Sequence, residues 1–278
     1  MRRLQRVALI VAAAGIALCG QQFAPSHGPK NGYLIIGGGG NFTRDIPRMI
    51  QMAGGKHARI VVIPTAAVGA PSDTAALTWR YCSNPQTFGG THCTVLHAAD
   101  RAVADSEAFV KPLETATGVW LAGGRQWRLA DVYLGTRTLR EIVALLDRGG
   151  VVGGGSAGAS IQASFLVRGS EHPDDSRIVI APGHSTGFGL FTNTAIDQHV
   201  DTRLRQNGLR FVLAVDPEIL GLGLDERTSI TVHGDGLVVN GPGRVAVWDG
   251  QQHKGKGYYY LHTGDRFDTV TRVATRKH

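Results

Sequence analysis

The 278-residue chain carries a formal charge of +7 and is 42% hydrophobic but only 7% aromatic. That length suits one α/β domain with a well-buried core and calls for no second folding unit. No Lys/Arg cluster is interleaved with aromatics, which excludes a nucleic-acid footprint; the basic surplus fits an acidic substrate, although solubility alone would explain it.

Arg2, Arg3 and Arg6 precede an apolar run over residues 7–19 that ends in small residues, the layout of a secretory signal peptide over 1–20. The run is short for a membrane span, which needs about 20 apolar residues. Cleavage is therefore expected, giving a secreted or periplasmic protein with no membrane attachment and a charge of +4 once the three arginines are lost. Cys19 offers a lipoprotein anchor as the alternative, but Leu18 is large where such a site wants a small residue. Residues 21–31, with Pro25, Ser26, Gly28 and Pro29, read as a linker to a single catalytic domain at 32–278.

Short apolar runs at 33–36, 59–63, 94–96, 119–121 and 151–152 alternate with amphipathic stretches, predicting a largely parallel sheet covered by helices. In an oxidising compartment Cys82 and Cys93, separated by a Gly/Pro-containing loop, are expected to form a disulfide; two free thiols are the alternative. Neither has zinc-ligand spacing, and there is no H-E-x-x-H, so no metal or other cofactor is called for. Residues 37–40 are four glycines at a strand end, without the spacing of a dinucleotide site.

The turn Leu121-Ala122-Gly123-Gly124-Arg125-Gln126 follows one strand and opens a helix, making the Gly124 N–H a candidate oxyanion donor or simply part of a βα turn. Residues 137–147 give the clearest helix, stopped by Gly149 and Gly150. It feeds a strand ending in Gly154-Gly155-Ser156-Ala157-Gly158, a G-x-S-x-G pattern in which small neighbours leave a serine hydroxyl room to reach a carbonyl. The Ala157 N–H, at a helix start, is the other oxyanion candidate. Without catalysis, the same residues make a tight Gly-rich turn.

A serine nucleophile needs a histidine to take its proton and a carboxylate to orient that histidine. Composition cannot choose among 11 histidines, but His199 ends a predicted strand, Ile196-Asp197-Gln198-His199, ahead of an expected Arg-rich helix from Arg203 to Arg210. Asp225-Glu226 similarly end the apolar strand LGLGL. Residues 228–249 read as short strands joined by Gly-rich turns, a β-hairpin region at the sheet edge.

The segments GGGSAGAS, AGGRQ, AIDQHVDTRLR and LGLGLDERTSI, in that order, resemble peptidase family S51, and most of all its cyanophycinases. The resemblance spans about residues 32–250. It implies a three-layer α/β/α, flavodoxin-like fold similar to class I glutamine amidotransferases, with Ser156 as nucleophile, His199 as base and Glu226, rather than Asp225, orienting it. It further implies that Gln126, Asp197, Gln198, Arg203 and Arg205 line a cleft for cyanophycin, the arginyl-polyaspartate polymer; a solvated helix face is the other reading of the two arginines. The chain departs from the family at Gly155, where a threonine or similar residue often precedes the nucleophile, and at Gly208, where a further arginine often follows. A related aspartyl or isoaspartyl peptidase, a serine esterase using His253 or His262, and a noncatalytic peptide-binding module remain as alternatives. Expected partners are a peptide or polymer substrate and, with assembly left open by the sequence, a second copy in a homodimer.

Overall fold

The computed structural model describes residues 24–67, 73–169 and 177–277. The expected signal peptide and the Cys19 anchor lie outside the described residues.

The parallel strands are β1 (Tyr33–Gly37), β2 (Arg59–Ile63), β3 (His92–Val95), β4 (Gly118–Leu121) and β5 (Val151–Gly155), in spatial order β1-β5-β4-β2-β3. Every residue of β4 and β5 is buried, as a sheet covered on both faces requires, whereas β3, at the edge, is half-exposed. Alternate side chains divide between two cores. Ile35, Ile60, Val62 and Trp120 pack with Ile46 and Met49 of helix Asp45–Met52, while Leu34, Val61, Val119 and Leu121 pack with helices Gln126–Tyr133 and Arg137–Asp147. The three-layer α/β/α expectation therefore holds, and helix 137–147 has the predicted bounds. Its stop is also the predicted one: Gly149, at φ 89°, and Gly150 donate to the carbonyls of Leu146 and Leu145 at 2.9 Å each.

The chain continues through β6 (Ala163–Phe165), the short pair β7 (Arg168–Gly169) and β8 (Ile178–Val179), then β9 (Phe191–Gln198) and β10 (Leu220–Leu224). The later strands are β11 (Ser229–His233), β12 (Gly236–Asn240), β13 (Val245–Trp248), β14 (Tyr259–Leu261), β15 (Arg266–Asp268) and β16 (Val273–Thr275). Strands β11, β12, β15 and β16 extend the main sheet antiparallel from β1, giving the predicted hairpin region and nine strands in all. Five of the others form a second sheet, β14-β13-β10-β9-β6, which the sequence reading did not separate from the first, and β7 and β8 pair with each other. Ile196, Leu222 and Val247 of this sheet enter the larger core, and Ala195, Ala246 and Trp248 form a third core with Leu209 and Val212.

One expected element is absent. Residues 203–209 form turns, with Leu204 at φ 52°, and the helix begins only at Arg210 and runs to Val215. The Arg205 side chain turns inward to Asp197, which a continuous helix face directed to solvent would not allow.

The described part of the segment read as a linker lies against the domain. Ser26 is fully buried, its hydroxyl donating to the Asn193 carbonyl at 2.9 Å and its carbonyl accepting from Thr269 at 2.5 Å; Gly28 N–H donates to Gly234 at 2.9 Å. Among the described residues no helix is long and apolar enough to cross a membrane.

Cys82 and Cys93 form a disulfide, their Cα atoms 5.3 Å apart. It ties the segment after helix Thr74–Thr78 to the edge strand β3, beside Tyr81 and Phe88, which pack in the core that holds Ile60 and Trp120. Closing so short a loop constrains the unfolded chain by about 3 kcal/mol. The variant with both cysteines changed to serine should lose about that much in urea denaturation, with the site on the far side of the sheet still reactive.

Candidate active site

Two parallel pairings converge at one edge. Gly37 of β1 is in register with Gly155 of β5, so residues 38 and 156 leave the main sheet side by side. Gln198 of β9 is in register with Leu224 of β10, so residues 199 and 225–226 leave the second sheet side by side. The glycine turn after β1 joins the two sheets: Gly38 N–H donates to Thr228, His199 N–H to Gly38, and Arg227 N–H to Gly39, at 2.8, 2.8 and 2.9 Å.

Ser156 sits at φ 55°, ψ −119°, a region costing a non-glycine residue roughly 1–3 kcal/mol. Its N–H is held by the Gly37 carbonyl at 3.0 Å, and its own carbonyl accepts from Ala159 and Ser160 at the start of helix Ala157–Ser160. The strained turn points the hydroxyl to His199, whose Nε2 lies 2.9 Å from Ser156 Oγ. On the other side of the ring, His199 Nδ1 lies 2.6 Å from Glu226 Oε1. Thr202 Oγ1 also donates to Glu226 Oε1 at 3.3 Å, and Asp201 accepts the Glu226 N–H at 2.8 Å, fixing the carboxylate's direction. Asp225 points elsewhere, accepting the N–H and Nε of Arg244 at 3.0 and 3.3 Å. Neighbouring residues on an extended segment face opposite ways, so one carboxylate reaches the imidazole and the other does not.

Burial is the largest influence on His199 and pushes its pKa below the usual histidine value; the Arg203 and Arg205 charges act in the same direction and Glu226 opposes them. The imidazole is thus neutral at neutral pH, with one nitrogen free to accept.

The sequence reading missed the role of the glycine run. A Cβ at Gly39, itself at φ 113°, would stand 2.1 Å from His199 Cε1, so the imidazole occupies the space that a side chain would take. The absence of a Cβ is a signal, but it acquires meaning only once the second sheet brings His199 across. Gly155 has a similar explanation: its Cβ would meet the Phe42 ring at 2.0 Å.

Gly124 lies in the neighbouring turn at φ 138°, and a Cβ on the preceding Gly123 would be 3.2 Å from Ser156 Cβ. Both proposed oxyanion donors, Gly124 and Ala157, thus belong to turns beside the serine. Gln126 is buried and donates its side-chain amide to the Val167 carbonyl at 2.7 Å. Asp197 is buried against Arg205 at 2.8 Å and accepts the Gln198 N–H at 2.8 Å; Arg205 also donates to the Gln198 carbonyl. Burial pushes the Asp197 pKa up to about 6 against the opposing Arg205 charge. Arg203 is exposed, Gln198 is buried, and Gly208 packs beside Asp197, while Arg210 stands exposed at the next helix start. His253 pairs with Asp249 at 2.9 Å and His262 is exposed, so the histidine on Ser156 is neither of those expected for an esterase. Among the described residues no group of three or more His, Cys, Asp or Glu could hold a metal ion.

The profile of peptidase family S51 matches residues 33–239. The chain belongs to that family. It is 33% identical to a cyanophycinase of Nostoc sp. (strain PCC 7120 / SAG 25.82 / UTEX 2576) over 229 residues, 79% of this chain and 74% of the relative. It is 29% identical to a cyanophycinase of Geminocystis herdmanii (strain PCC 6308) over 80% of this chain and 82% of the relative. In fold it is similar to a peptidase from an acI-B1 Actinobacterium, with a TM-score of 0.66 at 22% identity, covering 87% of this chain and 98% of the other. The chain is a serine-type peptidase, and the matched span contains the hydrogen-bonded serine, histidine and glutamate described above.

Gly39→Ala should displace the His199 ring and slow fluorophosphonate labelling of Ser156 by about 100-fold or more, as loss of a positioned general base does. Circular dichroism separates that effect from unfolding.

Proposed function

We propose that the chain is an exported peptidase that cuts cyanophycin to β-aspartyl-arginine dipeptides through an acyl-enzyme on Ser156. The observation that carries the chemistry is the relay of 2.9 and 2.6 Å from Ser156 through His199 to Glu226. Ser156 Oγ attacks the amide carbonyl as His199 Nε2 takes its proton; the imidazolium then gives that proton to the leaving amine. Water, activated by the same nitrogen, cleaves the ester. Glu226 stabilises the charged ring, and the N–H groups of Gly124 and Ala157 hold the oxyanion.

The substrate follows from the relatives named cyanophycinase, and their identity to this chain over most of its length supports it. The buried Asp197–Arg205 pair and the exposed Arg203, whose charge acts on His199, support a cleft beside the relay that takes a charged substrate. Gly208, which supplies no charge where the family often has arginine, favours a second reading: a peptidase for other aspartyl or isoaspartyl peptides. The leader-like N-terminus and the Cys82–Cys93 disulfide support export to the periplasm or the exterior.

Incubation with insoluble cyanophycin followed by mass spectrometry should detect β-aspartyl-arginine from the wild type and none from Ser156→Ala. Equal release by both would remove Ser156 from the mechanism, and no release by the wild type would move the substrate to other aspartyl peptides. Glu226→Gln should lower kcat at least about 100-fold, because the imidazolium loses its stabilising carboxylate. Asp225→Asn, whose carboxylate faces Arg244, should retain the relay; the opposite pattern would transfer the role to Asp225.

The neutral imidazole is the active form, so the acid limb of kcat/KM should lie below pH 6.5, the ordinary histidine value. Removing a positive neighbour makes protonation easier. Arg203→Gln should therefore move that limb to higher pH, and a shift the other way would contradict the electrostatic account.

A further inference from the structure

Arg125 follows Gly123-Gly124, the turn beside Ser156, and is exposed. Two peptide units place its Cα within about 8 Å of Gly123. Its guanidinium lies over the Trp127 ring, Cζ 5.3 Å from the centroid, and the Arg168 guanidinium lies over the same ring at 4.5 Å. This stack is tied to the frame at both ends. The buried Gln126 amide holds the carbonyl of Val167, the residue before Arg168, while Arg125 N–H donates to the Ala66 carbonyl at 2.8 Å. A Cβ at the next residue, Gly169, would lie 3.7 and 3.8 Å from the Nη1 atoms of Arg203 and Arg205, so the stack borders the wall that follows His199.

Stacking engages the face of a guanidinium and leaves its in-plane N–H groups directed sideways, the geometry for bidentate binding of a carboxylate. Trp127 also restricts Arg125 before a ligand arrives, which lowers the entropy lost on binding. We propose that Arg125, steadied on Trp127, is a specificity-determining subsite that binds a substrate carboxylate close to the amide being cut, and so selects acidic, aspartate-rich peptides. The subsite rests on the reading of Ser156 as the reacting centre.

The test is calorimetric titration of Ser156→Ala protein with an aspartate hexapeptide and with its uncharged asparagine counterpart at low salt. The aspartate peptide should bind about tenfold or more tightly, in keeping with one charge-assisted hydrogen-bonded contact. Arg125→Gln should remove most of that preference, Arg125→Glu should reverse it, and Trp127→Ala should weaken it. Arg125 is exposed, so its variants are expected to fold, and circular dichroism verifies this. Equal affinity for the two peptides, no binding of the aspartate peptide, or a preference unchanged in Arg125→Gln and Arg125→Glu would overturn the subsite. Absence of cyanophycin cleavage by the wild type would instead sink the substrate reading, with the binding preference still measurable.

Discussion

The close approach of the glycine turn after β1 to the His199 imidazole is the contact on which the site depends. Three backbone hydrogen bonds at 2.8–2.9 Å link that turn to the loops leaving β9 and β11's leading edge, and the absent Cβ of Gly39 supplies the space for the ring. The nucleophile belongs to one sheet and its base and acid belong to the other. Without this junction the hydroxyl and the imidazole would be held by separate layers with no shared register.

The same junction explains why strain can be concentrated at the site. Ser156 and His199 both adopt positive φ, at 55° and 59°, although neither is glycine. Each is held by a backbone hydrogen bond into its own sheet, Ser156 N–H to Gly37 of β1 and Val200 N–H, just after His199, to Leu224 of β10. Burial beneath the strands on either side supplies on the order of 1.5–3 kcal/mol per large apolar side chain, enough for a few residues to stabilise an unfavourable turn. Rigid strands and strained connections thus work together: the strands set the distance, and the turns aim the side chains.

Electrostatically, the buried and exposed charges divide. Asp197 and Arg205 form a buried ion pair, whereas Glu226 is applied to the imidazole, and burial, aided by the Arg203 and Arg205 charges, biases that imidazole toward its neutral form. A base that starts neutral but has a carboxylate ready for its charged state is suited to transient proton storage.

Much of this was legible in the residues. Continuous apolar runs bounded by glycine gave the parallel strands, the heptad-like apolar spacing of 137–147 gave a helix with its observed ends, and G-x-S-x-G gave the serine on its turn, because those signals are local and depend on backbone sterics. Family resemblance supplied the histidine and the glutamate, which local spacing could not choose. Tertiary structure alone decided that β9 and β10 form a separate sheet and that residues 203–209 are turns, with Arg205 directed inward, instead of a helix. Those outcomes depend on which strands pair and on a salt bridge from Arg205 to Asp197, contacts between residues apart in the chain, and no periodicity along a single segment records them.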